Sequence, residues 1–416
     1  MIAHDAAVYA SDLSAGALLA LVASGRAKSR SALVEALGWS RATVTQRLAF
    51  LLSAGLIDEA PETLPSGGRP SRVLRLNAEF GVVLAADVGE RSIKLAVTDL
   101  GPKVLIETTV AKDVGSGPSV VLEAVANGFK TMLKGLDRSP EEVVGIGLSL
   151  PAPVDFAAGR VVGPSVMRGW DDFDIRAWMS DRFDAPVYVE NDVNLMTLAE
   201  ARRFWPDVEQ LFYVKVGTGI GSGIVADGRI YRGAQGAAGD IGHIQMPGAS
   251  GPLCRCGKLG CVEALASGWS MARDLRALGL EAQDARDVMG CVQAHDPHAI
   301  SLVRNSGRIV GEVVASVVSI LNPSVIVIGG TMSSAGDHLL AGIRELVYQR
   351  SLPLATRDLV ISKSRSGDDV NIIGAATLVL EALMLPGAVE RVIARHARIP
   401  IHANALKLAP SIVASG

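Results

Sequence analysis

Along the first fifth of the chain, apolar residues recur three to four positions apart, the period of helices buried on one face. Residues 12–24 predict a first helix. Ser29 or Ser31 can cap a second helix ending near Leu37, Gly38 and Trp39 make a short turn, and Ser40 can cap a third. In that third helix Val44, Leu48, Leu51 and Leu52 form one apolar stripe, and Arg41, Thr43, Gln46 and Arg47 lie opposite. The pattern then shortens: Leu56-Ile57 and residues 73–76 read as two strands joined by a loop with Gly67, Gly68, Arg69, Pro70 and Arg72.

After a link at 77–81, strands are predicted at 82–87, 93–99 and 104–109, a helix at 119–134, and buried strands at 143–149 and 187–190. A second set starts with a strand at 211–216 and the glycine-rich run 217–223. It continues with a helix at 299–321, a strand at 325–328 ending in Gly329-Gly330, and helices at 337–350 and 375–384. Strands alternating with helices predict α/β layers, and the repetition predicts two lobes with a cleft between them. The Ala/Val/Arg-rich tail after Pro386 predicts no definite element.

Two short helices around a tight turn, the second exposing Arg, Thr and Gln near its start, fit a helix-turn-helix whose recognition helix enters the major groove. A small helical bundle with a polar face is the alternative. The glycine-tipped basic hairpin favours the first reading, because such a wing can bring arginines to phosphates or the narrow minor groove. Ser40, Arg41, Thr43, Gln46, Arg47, Arg69 and Arg72 are the candidate DNA contacts.

With 416 residues the chain is long enough for two or three domains, and 49% hydrophobic residues suffice for real cores. No apolar run reaches the length of a membrane span and the N-terminus lacks the pattern of a signal peptide, so a cytoplasmic protein without membrane contact is expected. The net charge of −3 hides an asymmetry. Residues 1–76 carry eight Lys/Arg against six Asp/Glu and the remainder 32 against 37, which agrees only weakly with a nucleic-acid partner.

Three of the four cysteines fall together, spaced C-x-C-x4-C, with a histidine upstream. His243, Cys254, Cys256 and Cys261 form a ligand set that zinc takes in closed structural sites, and Gly248, Gly251, Gly257 and Gly260 allow the tight turns it needs. Reduced buried cysteines beside an unrelated histidine, or a disulfide, are the alternatives. Cys291 stands apart in a helical pattern, as a small core residue does.

The stretches GAAGDIGH (236–243), CRCGKLGCVE (254–263), ENDVN (190–194) and SGGRPSRVLRLN (66–77) resemble the ROK family of repressors, open reading frames and sugar kinases, specifically its winged-helix regulators. The resemblance runs from about Leu13 to Met384. It implies an N-terminal winged helix-turn-helix (1–77) and a two-lobed, actin/hexokinase-like (ribonuclease-H-like) α/β domain. The lobes would be 78–200, completed by the helix near 375–385, and 201–385 with the zinc loop, leaving 386–416 as an unplaced tail.

In the family's kinases an aspartate takes the proton of the attacking sugar hydroxyl, and Asp192 matches it. Asn191, Asp240, His243 and Glu263 match sugar contacts, although the family usually has glutamate where Asp240 stands. The first phosphate loop departs from the kinase pattern. Asp87 and Gly89 are kept, but Glu90 replaces a glycine and Arg91 a threonine, adding a negative charge where ATP is polyanionic. Gly217, Thr218, Gly219, Gly221, Gly329 and Gly330 match the remaining nucleotide loops, expected here as vestiges without ATP/Mg2+ use and with no catalytic residue. The expectation is a zinc-containing, dimeric or tetrameric regulator of carbohydrate metabolism, most simply a repressor, controlled by a sugar or sugar derivative; the alternative is an ATP-dependent sugar kinase with an accessory DNA-binding domain.

Overall fold

A computed structural model of the chain describes residues 14–64, 71–163, 167–247 and 251–397. Three helices open it: α1 (Ala15–Ala23), α2 (Arg30–Leu37) and α3 (Arg41–Ser53). Each starts on a serine whose hydroxyl accepts a first-turn amide: Ser14 from Ala17, Ser29 from Ala32 and Ser40 from Thr43. Ser29, not Ser31, is therefore the second cap. Gly38 ends α2 at φ 66°, a conformation that costs glycine little. Strands β1 (Ile57–Leu64) and β2 (Ser71–Leu76) pair antiparallel, with Ile57 opposite Leu76.

Lobe 1 contains β3 (Val82–Val88), β4 (Ser92–Thr98), β5 (Val104–Ala111), α4 (Pro118–Gly135), β6 (Val143–Leu150), the small pair β7 (Val154–Asp155) and β8 (Arg160–Val161), and β9 (Val187–Asn191). Helix α5 (Asp192–Phe204) follows without a loop. Lobe 2 contains β10 (Leu211–Val216), β11 (Ile220–Ala226), β12 (Arg229–Ile230), α6 (Pro297–Leu321), β13 (Val325–Gly329), α7 (His338–Arg350) and β14 (Val360–Lys363). The chain closes with α8 (Val370–Leu383) and α9 (Ala388–His396).

The two five-stranded sheets share one topology. Lobe 1 runs β5-β4-β3-β6-β9 and lobe 2 β12-β11-β10-β13-β14. In each, three sequential strands pair antiparallel and two more add in parallel. The expected duplication is thus present at the level of hydrogen-bonded register. Strand β11 begins inside the run 217–223 that read as a loop, and β14 is too short to signal itself in sequence.

Helices α5 and α8 pack on each other between the sheets, α8 on β3 and β6 and α5 on β10 and β11. The expected lobe boundary at residue 200 falls inside α5. A Cβ on Gly374 would come within 2.6 Å of the Leu195 carbonyl carbon, so the helices meet at backbone distance. Arg202 Nε donates to Glu381 Oε1 at 2.5 Å across the same interface. Glu200, fully buried, accepts from Ser364 Oγ (2.8 Å) and from the amides of Arg365 (3.0 Å) and Ser366 (3.1 Å), which satisfies its charge.

The tail that predicted no element supplies α9. Val389 and Val392 are buried in one cluster with Leu18, Leu19 and Leu21 of α1 and with Leu380, Leu383 and Met384 at the end of α8. His396 stacks on Phe80 with ring centroids 4.3 Å apart, and Arg395 donates to Asp184 O at 2.6 Å. The helical N-terminal module and lobe 1 therefore share a continuous apolar core. Among the described residues no single helix is long and apolar enough to cross a membrane; α8 and α9 reach that length only as a pair bent by 100°.

Candidate functional site

His243, Cys254, Cys256 and Cys261 converge, their ligand atoms all within 4.8 Å of one another. His243 Nδ1 lies 3.7 Å from Cys254 Sγ, and Cys256 Sγ 3.7 Å from Cys261 Sγ. Backbone bonds fold the loop back on itself: Met246 N–H donates to Gly260 O (2.9 Å), Cys254 N–H to Lys258 O (2.8 Å) and Val262 N–H to Ile244 O (3.0 Å). Gly257 and Gly260 turn the chain at φ 87° and 69°. Burial pushes the Cys254 thiol up and the Cys261 thiol up to about 12. Burial also raises Cys256, but the Lys258 amide and the neighbouring thiols outweigh it and lower that group. Three such sulfurs ionise together only beside a compensating cation, so the donor set fits a thiophilic metal. Cys291 stands outside the cluster, half-buried against the lobe 2 core.

Cys261 leads directly into the short helix Val262–Ala266, which carries Glu263. Glu263 Oε2 accepts the Ile220 amide at 3.1 Å, and a Cβ on Gly219 would stand 2.6 Å from it. Metal loop and glycine hairpin are thus joined through one carboxylate. Asp240 is exposed at the start of the single helical turn Ile241–His243.

At the junction of the lobes Asn191 caps α5, its Oδ1 accepting from Val193 (2.9 Å) and Asn194 (3.3 Å), while its Nδ2 donates to Ala152 O at 3.0 Å. The cap is therefore Asn191, and Asp192 occupies the first helical position. Asp192 is buried and forms an ion pair and hydrogen bond with Lys215 of β10. Burial lowers Lys215, but Asp192 above all, then Asp87 and Glu90, raise it overall and keep it an ammonium. Asp87, at the end of β3, accepts from Ser149 Oγ (2.7 Å) and Asn371 Nδ2 (3.0 Å). Burial nevertheless raises its carboxyl above the usual range, with Asp192 adding to the rise. Glu190, almost fully buried, holds the Asn191 amide (2.9 Å), Asn194 Nδ2 (2.9 Å) and Arg232 Nε (2.6 Å).

Only Gly217, Thr218 and Gly219 form the turn between β10 and β11, and all three of its carbonyls are occupied: Gly268 N–H donates to Gly217 O (2.8 Å), Trp269 N–H to Thr218 O (3.2 Å) and Gly217 N–H to Gly219 O (2.9 Å). Gly221 lies in β11, where a Cβ would stand 3.0 Å from Val193 of α5. Gly330 has φ 81° against the backbone of Val216, and a Cβ on Gly329 would overlap Tyr213. These glycines serve close packing. In the first loop Gly89 bonds back to Ser92 O at 2.9 Å, and Glu90 reaches across the cleft to Arg255, between two of the clustered cysteines, at 3.2 Å.

On α3 the outward face is Arg41, Thr45 and Gln46. Thr43 is half-buried with its hydroxyl 2.9 Å from Ser40 Oγ, and Arg47 is half-buried and engaged. Ser40 and Thr43 thus act first as a cap. Arg72 lies 3.7 Å from Glu59, which also takes Arg30 at 3.0 Å. Arg69 falls outside the described residues.

Sequence reasoning missed Lys215, Glu190, Arg255 and Thr45. Lys215 carried a usable signal, a lone cation in an otherwise apolar strand leading into a glycine turn. Arg255 carried none, because its partner is 165 residues away.

A sequence model of the ROK family matches residues 83–382. A putative xylose repressor of Caldicellulosiruptor sp. (strain Rt8B.4) is 27% identical over 382 residues, 88% of this chain and 95% of that protein. A glucokinase of Halalkalibacterium halodurans is 30% identical over 311 residues, 71% of this chain and 94% of that protein. Among solved structures, a ROK family transcriptional regulator, a homolog of the E. coli MLC protein, superposes with TM-score 0.79 at 26% identity, covering 91% of this chain and 98% of that one.

Proposed function

Because the chain belongs to the ROK family, we propose that it is a cytoplasmic, sugar-responsive transcriptional repressor in which ligand binding between the lobes alters operator binding by the N-terminal helices. The repressor and regulator relatives align across the N-terminal module as well as the lobes, whereas the glucokinase aligns over a shorter stretch. The observation that carries the reading is mechanical continuity. Asn191 and Asp192 begin α5, α5 meets α8 at backbone distance through Leu195 and Gly374, and the end of α8 meets Gly16 of α1 in the same way. A change in lobe closure therefore has a packed route to the DNA-binding face.

The sugar is read by Asp192, Asp240, His243 and Glu263, whose carboxylates and imidazole suit hydroxyls that both donate and accept. Asn191, with both polar ends engaged by the protein, positions Asp192. His243, Cys254, Cys256 and Cys261 would hold zinc, and His243 would use Nδ1 there and keep Nε2 for the ligand. Zinc would supply a rigid loop carrying Glu263 and Asp240, a positioning role. Arg41 and Gln46, with Thr45, are assigned to base edges, and Ser40, Thr43, Arg47, Arg69 and Arg72 to the backbone and groove margins. Exposed Ile320, Tyr348, Leu352 and Leu354 at the ends of α6 and α7 support self-association, which two operator half-sites require.

A kinase reading is favoured by the glucokinase similarity and by Asp192 at a helix start in the cleft. Lys215 opposes it: a carboxylate bound to an ammonium is a poor proton acceptor. Measurement of operator affinity by fluorescence anisotropy, with and without a sugar panel, tests the proposal. A sugar that shifts affinity about 5-fold to 150-fold supports it; sugar-dependent ADP release with operator affinity unchanged by any sugar rejects it.

A further inference from the structure

Residues 231–240, which lead from β12 of lobe 2 to Asp240, touch lobe 1 on the way. Arg232 Nε donates to Glu190 Oε2 at 2.6 Å, and its guanidinium carbon lies 4.0 Å from the centroid of the Phe156 ring. Gly236, at φ 83°, passes so close to β7 that a Cβ would overlap the Val154 carbonyl. The segment then returns to lobe 2, where Gly239 O accepts the Ser222 amide (3.0 Å) and hydroxyl (2.7 Å) of β11. Ala238 N–H donates back to Arg232 O at 3.1 Å and closes the loop. Asp240 is therefore carried on a strap that both lobes hold.

The anchorage on lobe 1 is made of buried and fixed groups. The Glu190 side chain is 2% exposed. Its Oε1 accepts the Asn191 amide and Asn194 Nδ2, both at 2.9 Å, which leaves Oε2 for Arg232. Among the described residues no other cation pairs with Glu190. Phe156 is held by Arg176 of the short helix Ile175–Ser180, which donates to Phe156 O (3.0 Å) and Ala157 O (2.9 Å). Parting the lobes would withdraw the one cation from a carboxylate that its own lobe keeps buried, and would lift the guanidinium off the ring. Pair and stack together favour the closed arrangement.

We infer that Arg232 is a positioning residue that latches the two lobes together and thereby sets the ligand affinity of the cleft. The latch serves the sugar site proposed above and rests on that reading, in which Asp240 on the strap and Asp192, two residues beyond Glu190, act on one ligand. A latch raises the fraction of molecules that are closed, and apparent affinity scales with that fraction whatever the sugar. Its loss weakens every sugar by one factor, whereas the loss of a direct contact weakens some and spares others.

The full-length protein and its R232Q, R232K and F156L variants are to be titrated calorimetrically with glucose, xylose and N-acetylglucosamine, and their amide hydrogen exchange followed without sugar. R232Q should weaken every sugar that the wild type binds by a common factor of at least about tenfold, the worth of one charge-assisted hydrogen bond. R232K should recover part of that loss, because it returns the charge to Glu190 without the planar stack. F156L leaves the ion pair in place and should give a smaller common loss, which keeps the test decisive where R232Q does not fold. Without sugar, residues 233–240 should exchange faster in R232Q and F156L while β3 and β6 stay as protected as in the wild type. Wild-type affinity in both variants, losses that differ from sugar to sugar, or unchanged exchange over 233–240 overturns the latch. Faster exchange over 233–240 in a protein that binds no sugar even as the wild type keeps the latch and rejects the sugar-cleft reading.

Discussion

Gly16 of α1 lies directly against the Met384 carbonyl at the end of α8: a Cβ on residue 16 would stand 2.8 Å from the carbonyl carbon. In an isolated helix, alanine improves on glycine by about 1 kcal/mol. Here the added methyl must part the DNA-binding module from α8, and overpacking of this kind costs about 1–3 kcal/mol. Gly16→Ala is expected to lower the Tm and to shrink the change in operator affinity produced by a sugar. A raised Tm with a full sugar response would remove α1 from the coupling route.

Lys215 and Asp192 depend on each other inside the cleft, with Asp87 close by. Lys215→Met leaves a buried carboxylate unpaired, a change that costs about 3 kcal/mol when one partner of a buried pair is removed. Adding Asp192→Asn should recover most of that loss. Denaturant unfolding of the wild type, the Lys215→Met variant and the double variant checks this. An unfolding midpoint for Lys215→Met equal to the wild type's would mean that water already serves Asp192.

Loss of the metal proposed for His243, Cys254, Cys256 and Cys261 should separate the sugar response from operator binding. Cys256→Ser, or chelation of the wild type, is expected to abolish the sugar response while operator affinity without sugar stays within about threefold, because the loop lies in lobe 2 whereas α3 packs on α1, α2 and β1. Metal analysis alongside anisotropy decides the matter. A variant that has lost zinc and still responds normally to sugar would uncouple the loop from the switch.

Arg41 and Gln46, both exposed on α3, are expected to make distinguishable contributions to operator binding. Arg41→Ala should weaken operator binding, relax preference at the base it reads and, through the lost cation, reduce the salt slope of log K. Gln46→Ala should relax base preference and leave that slope alone. Salt titrations against the operator and single-base variants separate the two. Unchanged affinity in both variants would place the DNA contact on another surface.

His396 connects pH to the docking of α9. Burial is the main cause that lowers its pKa below the ordinary 6.5, with Arg395 adding to the fall and the Val392 carbonyl, Glu142 and Phe80 backbone opposing it. Because the folded protein holds it neutral, the unfolded chain binds more protons once pH falls below 6.5. Stability is then full above that value and declines as pH drops towards the folded pKa. His396→Gln should show a shallower decline in thermal unfolding as pH falls below the ordinary histidine value of 6.5. Parallel profiles for the two proteins would assign the acid sensitivity elsewhere, Asp87 not included, since its raised pKa acts in the opposite direction.

Much of this molecule was legible in its sequence for a physical reason: the signals were local. The serine caps, the apolar stripe of α3, the repeated strand and helix periods, and the close spacing of Cys254, Cys256 and Cys261 each sit within a window that sterics and hydrogen bonding act on directly. The resemblance carried by four short motifs added the family, which the comparisons bear out.

What only the tertiary structure decided are relationships between distant residues. Lys215 meeting Asp192, Glu90 meeting Arg255, Gly16 meeting Met384 and α9 closing the core beneath α1 have no periodicity of their own, because each depends on how two separately formed elements come together. The glycines of residues 217–223 make the same point in reverse. Their composition reads as a phosphate loop, yet Gly221 and Gly223 lie in a strand where the Val193 and Thr197 side chains of α5 leave no room for a further side chain. Local chemistry set the elements and the ligand set, and long-range packing set which charges face each other and how the cleft is joined to the DNA-binding face.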